Sequence, residues 1–239
     1  MAPYRLYYWP SIPGRGEFIR LALEEAAAPY LDMARLPKSR GGGVASMMKA
    51  LRAAGPFEPF APPFLKSGDL VIGQTANILL YLGPRHRLVP TDEANRLKAH
   101  QIQLTIADLI AEAHDAHHPI SSSLYYEDQK REAKKRAAAF VRDRIPKFLD
   151  WFERVLQASG GEHFVGRGVS YVDLSVFQML SGLTYAFPKA MARMEKRIPR
   201  LRSLASAVAG RPRIASYLAS KRRIPFNEDG IFRHYPELE

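Results

Sequence analysis

Gln74 and Thr75 stand where a short apolar run ends and a helical run begins. A helix start has unpaired N–H groups and the positive end of the helix dipole, so it favours a carboxylate. The two side chains can add a donor each. Upstream, the Pro62-Pro63 pair is where a cis bond is expected, since an X–Pro bond adopts that form at small cost. A turn of that kind leaves the backbone before it free to pair with an extended ligand as an added strand. His114, His117 and His118 beside Asp115 raise the question of a metal. Their spacing lacks a convincing ligand set, so no metal is expected. Cysteine is absent, which removes a thiol nucleophile, a disulfide and a thiolate metal site.

The elements that must hold these groups follow from pattern. Phe64-Leu65 and Leu70-Val71-Ile72 are strand-like runs separated by Lys66-Ser67-Gly68-Asp69, a hairpin with Gly68 at its turn. The helix after Thr75 carries Ile78, Leu79 and Leu82. Before them come a strand at Arg5-Leu6-Tyr7-Tyr8-Trp9, a loop from Pro10 to Gly16 and a helix over 17–27. A weak strand over 30–36 and a short helix over 45–53 complete a β-α-β start followed by hairpin and helix. That is the thioredoxin-like order, with the last two strands antiparallel.

Beyond a linker over 85–91 the period is helical throughout. Helices are expected over 92–118, stopped by Pro119, and over 128–157, kinked or divided by Pro146. A third follows the capping box Ser170-Tyr171-Val172-Asp173, a fourth spans 200–209, and a last begins at Pro212. The expected fold is therefore α+β with two domains. Residues 1–84 form the thioredoxin-like domain and 92–239 an all-helical bundle with an aromatic tail from Ile224, which either folds back over the site or forms a surface segment.

A net charge of +11 on 239 residues raises non-specific attraction to anions. The basic residues are spread along helices, no nucleic-acid-binding signature accompanies them, and they read as a solvated basic face. No run approaches the roughly 20 apolar residues of a membrane span. The start Met-Ala-Pro-Tyr-Arg has no apolar signal region behind it, so the cytoplasm is the expected compartment.

The proline before a short strand, the hairpin and Gln74-Thr75 at a helix start resemble the glutathione-binding half of the cytosolic glutathione transferases. So do the capping box at Ser170 and the ending from Pro212 to Ser220, and the resemblance covers nearly the whole chain. It points to the tyrosine-type members, of a bacterial or fungal-like kind related to sigma, mu and pi. It implies glutathione as co-substrate, a cis Pro63, backbone pairing of Pro62 with the cysteinyl part, and Gln74 and Thr75 on the γ-glutamyl carboxylate. It further implies detoxifying conjugation of the thiolate to a hydrophobic electrophile, in a homodimer. A glutathione-dependent peroxidase or isomerase and a non-catalytic binding protein on the same scaffold are the alternatives.

In that family a tyrosine at the end of the first strand activates the thiol, because a neutral hydroxyl aimed at sulfur favours its ionised form. The match is Tyr8, followed by Trp9; Ser11 and Tyr7 are the alternatives. Lys49, with Lys38 and Arg40, comes from the region that would meet glutathione's glycine carboxylate. Asp108 shares a helical stripe with Leu104, Ala111 and Asp115 and would reach the amine of a partner subunit's glutathione. Ile12, His114 and Tyr125, with Tyr126, are expected to line the acceptor pocket. Arg20 is expected to be structural.

Overall fold

Alternation along Tyr4–Tyr7 (β1) sends Tyr4 and Leu6 to one face of the sheet and Tyr7 to the other. In the computed structural model, which describes residues 2–239, β1 is central. It runs parallel to β2 (Tyr30–Asp32) and antiparallel to β3 (Phe64–Ser67), which pairs antiparallel with β4 (Leu70–Gly73). The order is β2-β1-β3-β4. α1 (Gly16–Glu25) and α3 (Thr75–Arg85) cover one face, where Ile19, Leu23, Ile78 and Leu82 meet Leu6 and Leu65. α2 (Val44–Arg52) covers the other through Met47 and Leu51 against Tyr7 and Phe64. The hairpin loop is Gly68-Asp69, with Ser67 opposite Leu70 and Gly68 at φ +60°, the left-handed geometry a glycine supplies at the first loop position. The second strand is shorter than its expected 30–36, because a 3-10 turn over Met33–Arg35 takes its end.

The remaining elements are helical. α4 (Glu93–Asp115) is capped by Asp92, whose side chain accepts from Asn95 N–H at 2.9 Å. The expected 128–157 helix is divided into α5 (Lys130–Ala139), a π-helical turn over Phe140–Arg144, and α6 (Ile145–Ala158). Pro146 has no N–H to return to residue 142 and its ring crowds that carbonyl, so the helix widens just before it. α7 (Tyr171–Ala186) is buried on nearly every side and packs against α1, α4 and α9 (Pro199–Ala209). α8 (Pro188–Met194) lies between α7 and α9 and is an element the sequence pattern did not announce. α10 (Pro212–Leu218) packs on α1.

The tail folds back onto the molecule. Ile231 and Phe232 are buried, and the Phe232 ring lies where a Cβ at Gly182 would come within 2.2 Å of it. Only glycine at 182 allows that approach.

Candidate active site

Tyr8 follows β1 directly and is 3% exposed. Its Oη accepts from the Arg15 backbone N–H at 2.9 Å. The loop closes on the ring so tightly that a Cβ at Gly14 would fall 2.2 Å from Oη, and one at Gly16 would fall 2.5 Å from the ring. Fully buried Arg20 supports the loop from below: it donates to Pro13 O (3.3 Å), Glu17 Oε2 (3.1 Å) and Asp32 Oδ2 (2.8 Å). Glu17 in turn accepts from Tyr217 Oη (2.6 Å) and from Arg223, so α10 and the turn that follows it help hold the same loop. The structural role expected of Arg20 is the one its contacts give.

With its oxygen accepting from Arg15, Tyr8 keeps its own O–H free to donate. Burial raises its pKa above the ordinary 10, against the opposing pull of the Arg15 N–H and of the Arg15 and Arg20 charges. The hydroxyl therefore stays protonated across the working range. Tyr7 is occupied differently: its ring stacks on Phe64 at 4.4 Å and 5° in the core. Ser11 is exposed, and its carbonyl is held by Asn227 Nδ2 at 2.8 Å.

Gln74 and Thr75 line a cleft of about 280 Å³ with Arg15 and Phe18, closed on its far side by Gln103 and Leu104 of α4. Gln74 has φ +67°, a conformation costing a non-glycine residue about 1–3 kcal/mol that persists where surrounding structure enforces it. Thr75 Oγ1 donates to Arg15 O at 3.4 Å, tying the helix start to the Tyr8 loop. In the same wall, Gln103 Oε1 and His100 Nδ1 are buried without a partner. Asp108 is exposed on α4 and makes no ion pair among the described residues. Lys49 is exposed on α2 and Trp9 is 37% exposed.

The Pro62–Pro63 bond is cis and immediately precedes β3. Pro62 carries no N–H, so it can offer a ligand only its carbonyl, and a two-bond pairing with a cysteinyl backbone cannot form at this residue.

On the acceptor side, Ile12 lies under the returning tail, 4.0 Å from where a Cβ at Gly230 would stand. His114 is partly exposed, and burial, with the charges of His118, Arg15 and Arg233, lowers its pKa to about 4. Tyr125 does not join this wall. It is 77% exposed, its N–H held by Asp128 Oδ2 at 3.1 Å. Its neighbour Tyr126 turns inward and stacks on Tyr235 at 3.8 Å. Arg15, whose N–H reaches Tyr8 Oη, lies in the Gly-Arg-Gly run at 14–16, the sequence signal for this tight loop.

Residues 114–221 match the family model for the glutathione S-transferase C-terminal domain. The chain is 26% identical over 226 residues to glutathione S-transferase P 1 of Xenopus laevis, covering 93% of this chain and 95% of that one. It is 23% identical over 223 residues to a glutathione S-transferase of Plasmodium falciparum, covering 91% and 95%. Among solved structures, the Pi-class glutathione S-transferase of Onchocerca volvulus superposes with a TM-score of 0.72 at 22% identity, over 96% of this chain and 99% of that one. Prostaglandin synthase D of Nilaparvata lugens superposes at 0.70 with 19% identity, over 94% and 100%.

Proposed function

Because the chain is a member of the cytosolic-type glutathione S-transferase family, we propose that it holds glutathione along 62–75 and activates its thiol with Tyr8. The observation that carries this is the Tyr8 hydroxyl accepting from Arg15 N–H and left with a free proton to donate. A thiol of pKa about 8.5 is largely protonated at neutral pH, and the thiolate is the nucleophile. A donor aimed at sulfur lowers that pKa. The thiolate then forms a C–S bond to a hydrophobic electrophile, and the displaced electron pair leaves with the leaving group or moves onto the acceptor. Residues 1–84 would supply the glutathione side and, through Ile12, one edge of the acceptor side; 92–239 would supply the rest of it through His114 and the tail, with the cytoplasm as the proposed compartment. Among the described residues no helix is long and apolar enough to cross a membrane.

One calorimetric series tests the glutathione edge. Gln74→Ala removes a donor to a charged carboxylate and is expected to weaken binding by about 1.5–3 kcal/mol. Pro62→Val supplies the missing N–H and is expected to tighten it by about 0.5–1.5 kcal/mol. Unchanged affinity in both variants would place glutathione elsewhere.

A two-fold homodimer fits the same arrangement, with α4 of one subunit beside the glutathione of the other. Leu97 and Leu104 on α4 are 63% and 47% exposed, and Phe57 and Phe60 are 92% and 96% exposed, which is apolar surface of the kind interfaces bury. Light scattering at micromolar concentration should read twice the 26.9 kDa chain mass. A value of one chain mass would remove Asp108 from any shared site.

A further inference from the structure

Three imidazoles converge where α4 ends. His114, His117 and His118 each bring a ring nitrogen within 4.8 Å of the others. We propose that they form a binding site for one divalent transition ion of the zinc and cobalt class, closed on one side by the C-terminal tail.

The spacing 114, 117 and 118 lacks the ligand set of a familiar motif, but the fold supplies what the spacing does not. The helical turn continues past α4, with His118 N–H donating to His114 O at 3.1 Å, so residues 114 and 118 stay on one face. His117 Nε2 lies 2.7 Å from the Ile231 carbonyl. A carbonyl only accepts, so Nε2 carries the hydrogen and the neutral ring presents a lone pair at Nδ1. A backbone carbonyl fixing the tautomer of a ligating histidine is the usual outer support of such sites.

That lone pair faces His118 Nδ1 at 2.5 Å. Two lone pairs would repel there, so His118 Nδ1 holds the hydrogen that bridges them. An ion would take that hydrogen's place: the proton moves to His118 Nε2, both Nδ1 atoms become ligands, and no net proton is released. At metal–nitrogen lengths of about 2.0–2.1 Å, tetrahedral ligands stand about 3.3 Å apart, so the rings must part by less than about 1 Å.

The surroundings decide the fourth ligand. The charge of Arg233 acts on all three rings, that of Arg15 on His114 and that of Glu127 on His118, and Asp115 Oδ1 lies 3.9 Å from His114 Nδ1. The two guanidinium charges oppose a bare dication, so the fourth ligand, entering on the partly exposed His114 side, must be an anion that offsets them. Imidazole donors suit zinc, cobalt, nickel or copper rather than magnesium or calcium.

The test uses the full chain titrated with Co²⁺. The expected result is one equivalent bound with the visible bands of a tetrahedral nitrogen site, bleached by Zn²⁺. His114→Gln and His118→Gln should each weaken Co²⁺ binding at least a hundredfold, while His86→Gln, outside the cluster, should not. Circular dichroism confirms the fold of each variant, and the partly exposed His114 provides the test if a His118 variant does not fold. Absence of Co²⁺ uptake by the parent, or equal uptake by folded His114→Gln, would overturn the site and leave the cluster as a clasp on the tail. Glutathione affinity, measured on the same samples, reports on the transferase reading separately.

Discussion

Tyr8→Phe is expected to lower the conjugation rate at neutral pH on the order of a hundredfold, the size of effect that follows removal of one aligned donor from a developing or stabilised anion. The ring's packing under Gly14 and Gly16 is kept. Stability should fall by only about 1 kcal/mol, for the Arg15 N–H that loses its acceptor. The pH profile carries the sharper reading. The reactive form is the deprotonated thiol, so the rate climbs as pH rises through the thiol pKa. A donor to sulfur lowers that pKa; without it the climb moves up toward about 8.5. Tyr8 itself does not titrate in this window, since burial raises its pKa. The variant should therefore recover much of its rate under alkaline conditions, and thiolate absorbance of the bound glutathione should shift in step. Ser11→Ala, changing an exposed loop residue, should match the parent. A Phe variant with the parent's profile would reduce Tyr8 to a packing residue.

The elements legible in the sequence are those whose signal is local. The Gly68 hairpin, the Ser170 capping box and the Pro146 interruption each depend on chemistry within a few residues, and each occurs where the pattern put it. α8 was not legible because it is seven residues long and begins at Pro188 directly after α7, so neither a cap nor a period separates the two. The tail has no period at all. Its path is set by distant partners: Phe232 against Gly182, Phe226 stacked on Tyr185 at 5.2 Å, and Asn227 on the Ser11 carbonyl.

The site divides in the same way. Gln74 and Thr75 sit in one local segment and reach the cleft together. The state of Tyr8 depends on a loop fold that brings Arg15 N–H back by seven residues, and composition does not encode that return. Tyr125 and Tyr126 were indistinguishable by type. The choice between them was made by Tyr235, a hundred positions away in the chain and stacked on Tyr126. The histidine cluster shows the opposite limit: helical spacing was visible, but the Ile231 carbonyl that fixes the His117 tautomer was not.

Asp173→Ala should cost roughly 3–5 kcal/mol of stability, from two stranded N–H groups and a lost cap. Asp173 is fully buried. Its Oδ1 accepts from Phe164 N–H at 3.0 Å, and its Oδ2 accepts from Ser170 N–H at 2.6 Å and Ser170 Oγ at 2.7 Å. Alanine leaves both backbone donors without this partner, Ser170 N–H at the start of α7 and Phe164 N–H in the loop before it, and α7 is the helix against which α1, α4 and α9 all pack. Against a total stability of order 5–15 kcal/mol, such a loss should lower Tm by about 10 °C for a chain of this size. Ser170→Ala keeps the carboxylate on both backbone N–H groups and should cost about 1 kcal/mol. A pH series separates this network from generic core damage. His163 Nδ1 lies 3.6 Å from Asp173 Oδ2, and that carboxylate raises its pKa above the ordinary 6.5. A raised folded-state pKa contributes stability fully below the unfolded value and loses it as pH rises through the folded one. The gap in Tm between parent and Asp173→Ala should therefore be widest below about pH 6.5 and narrow above it. A gap that is independent of pH would remove His163 from the network, and a Tm equal to the parent's would remove Asp173 from its place at the helix start.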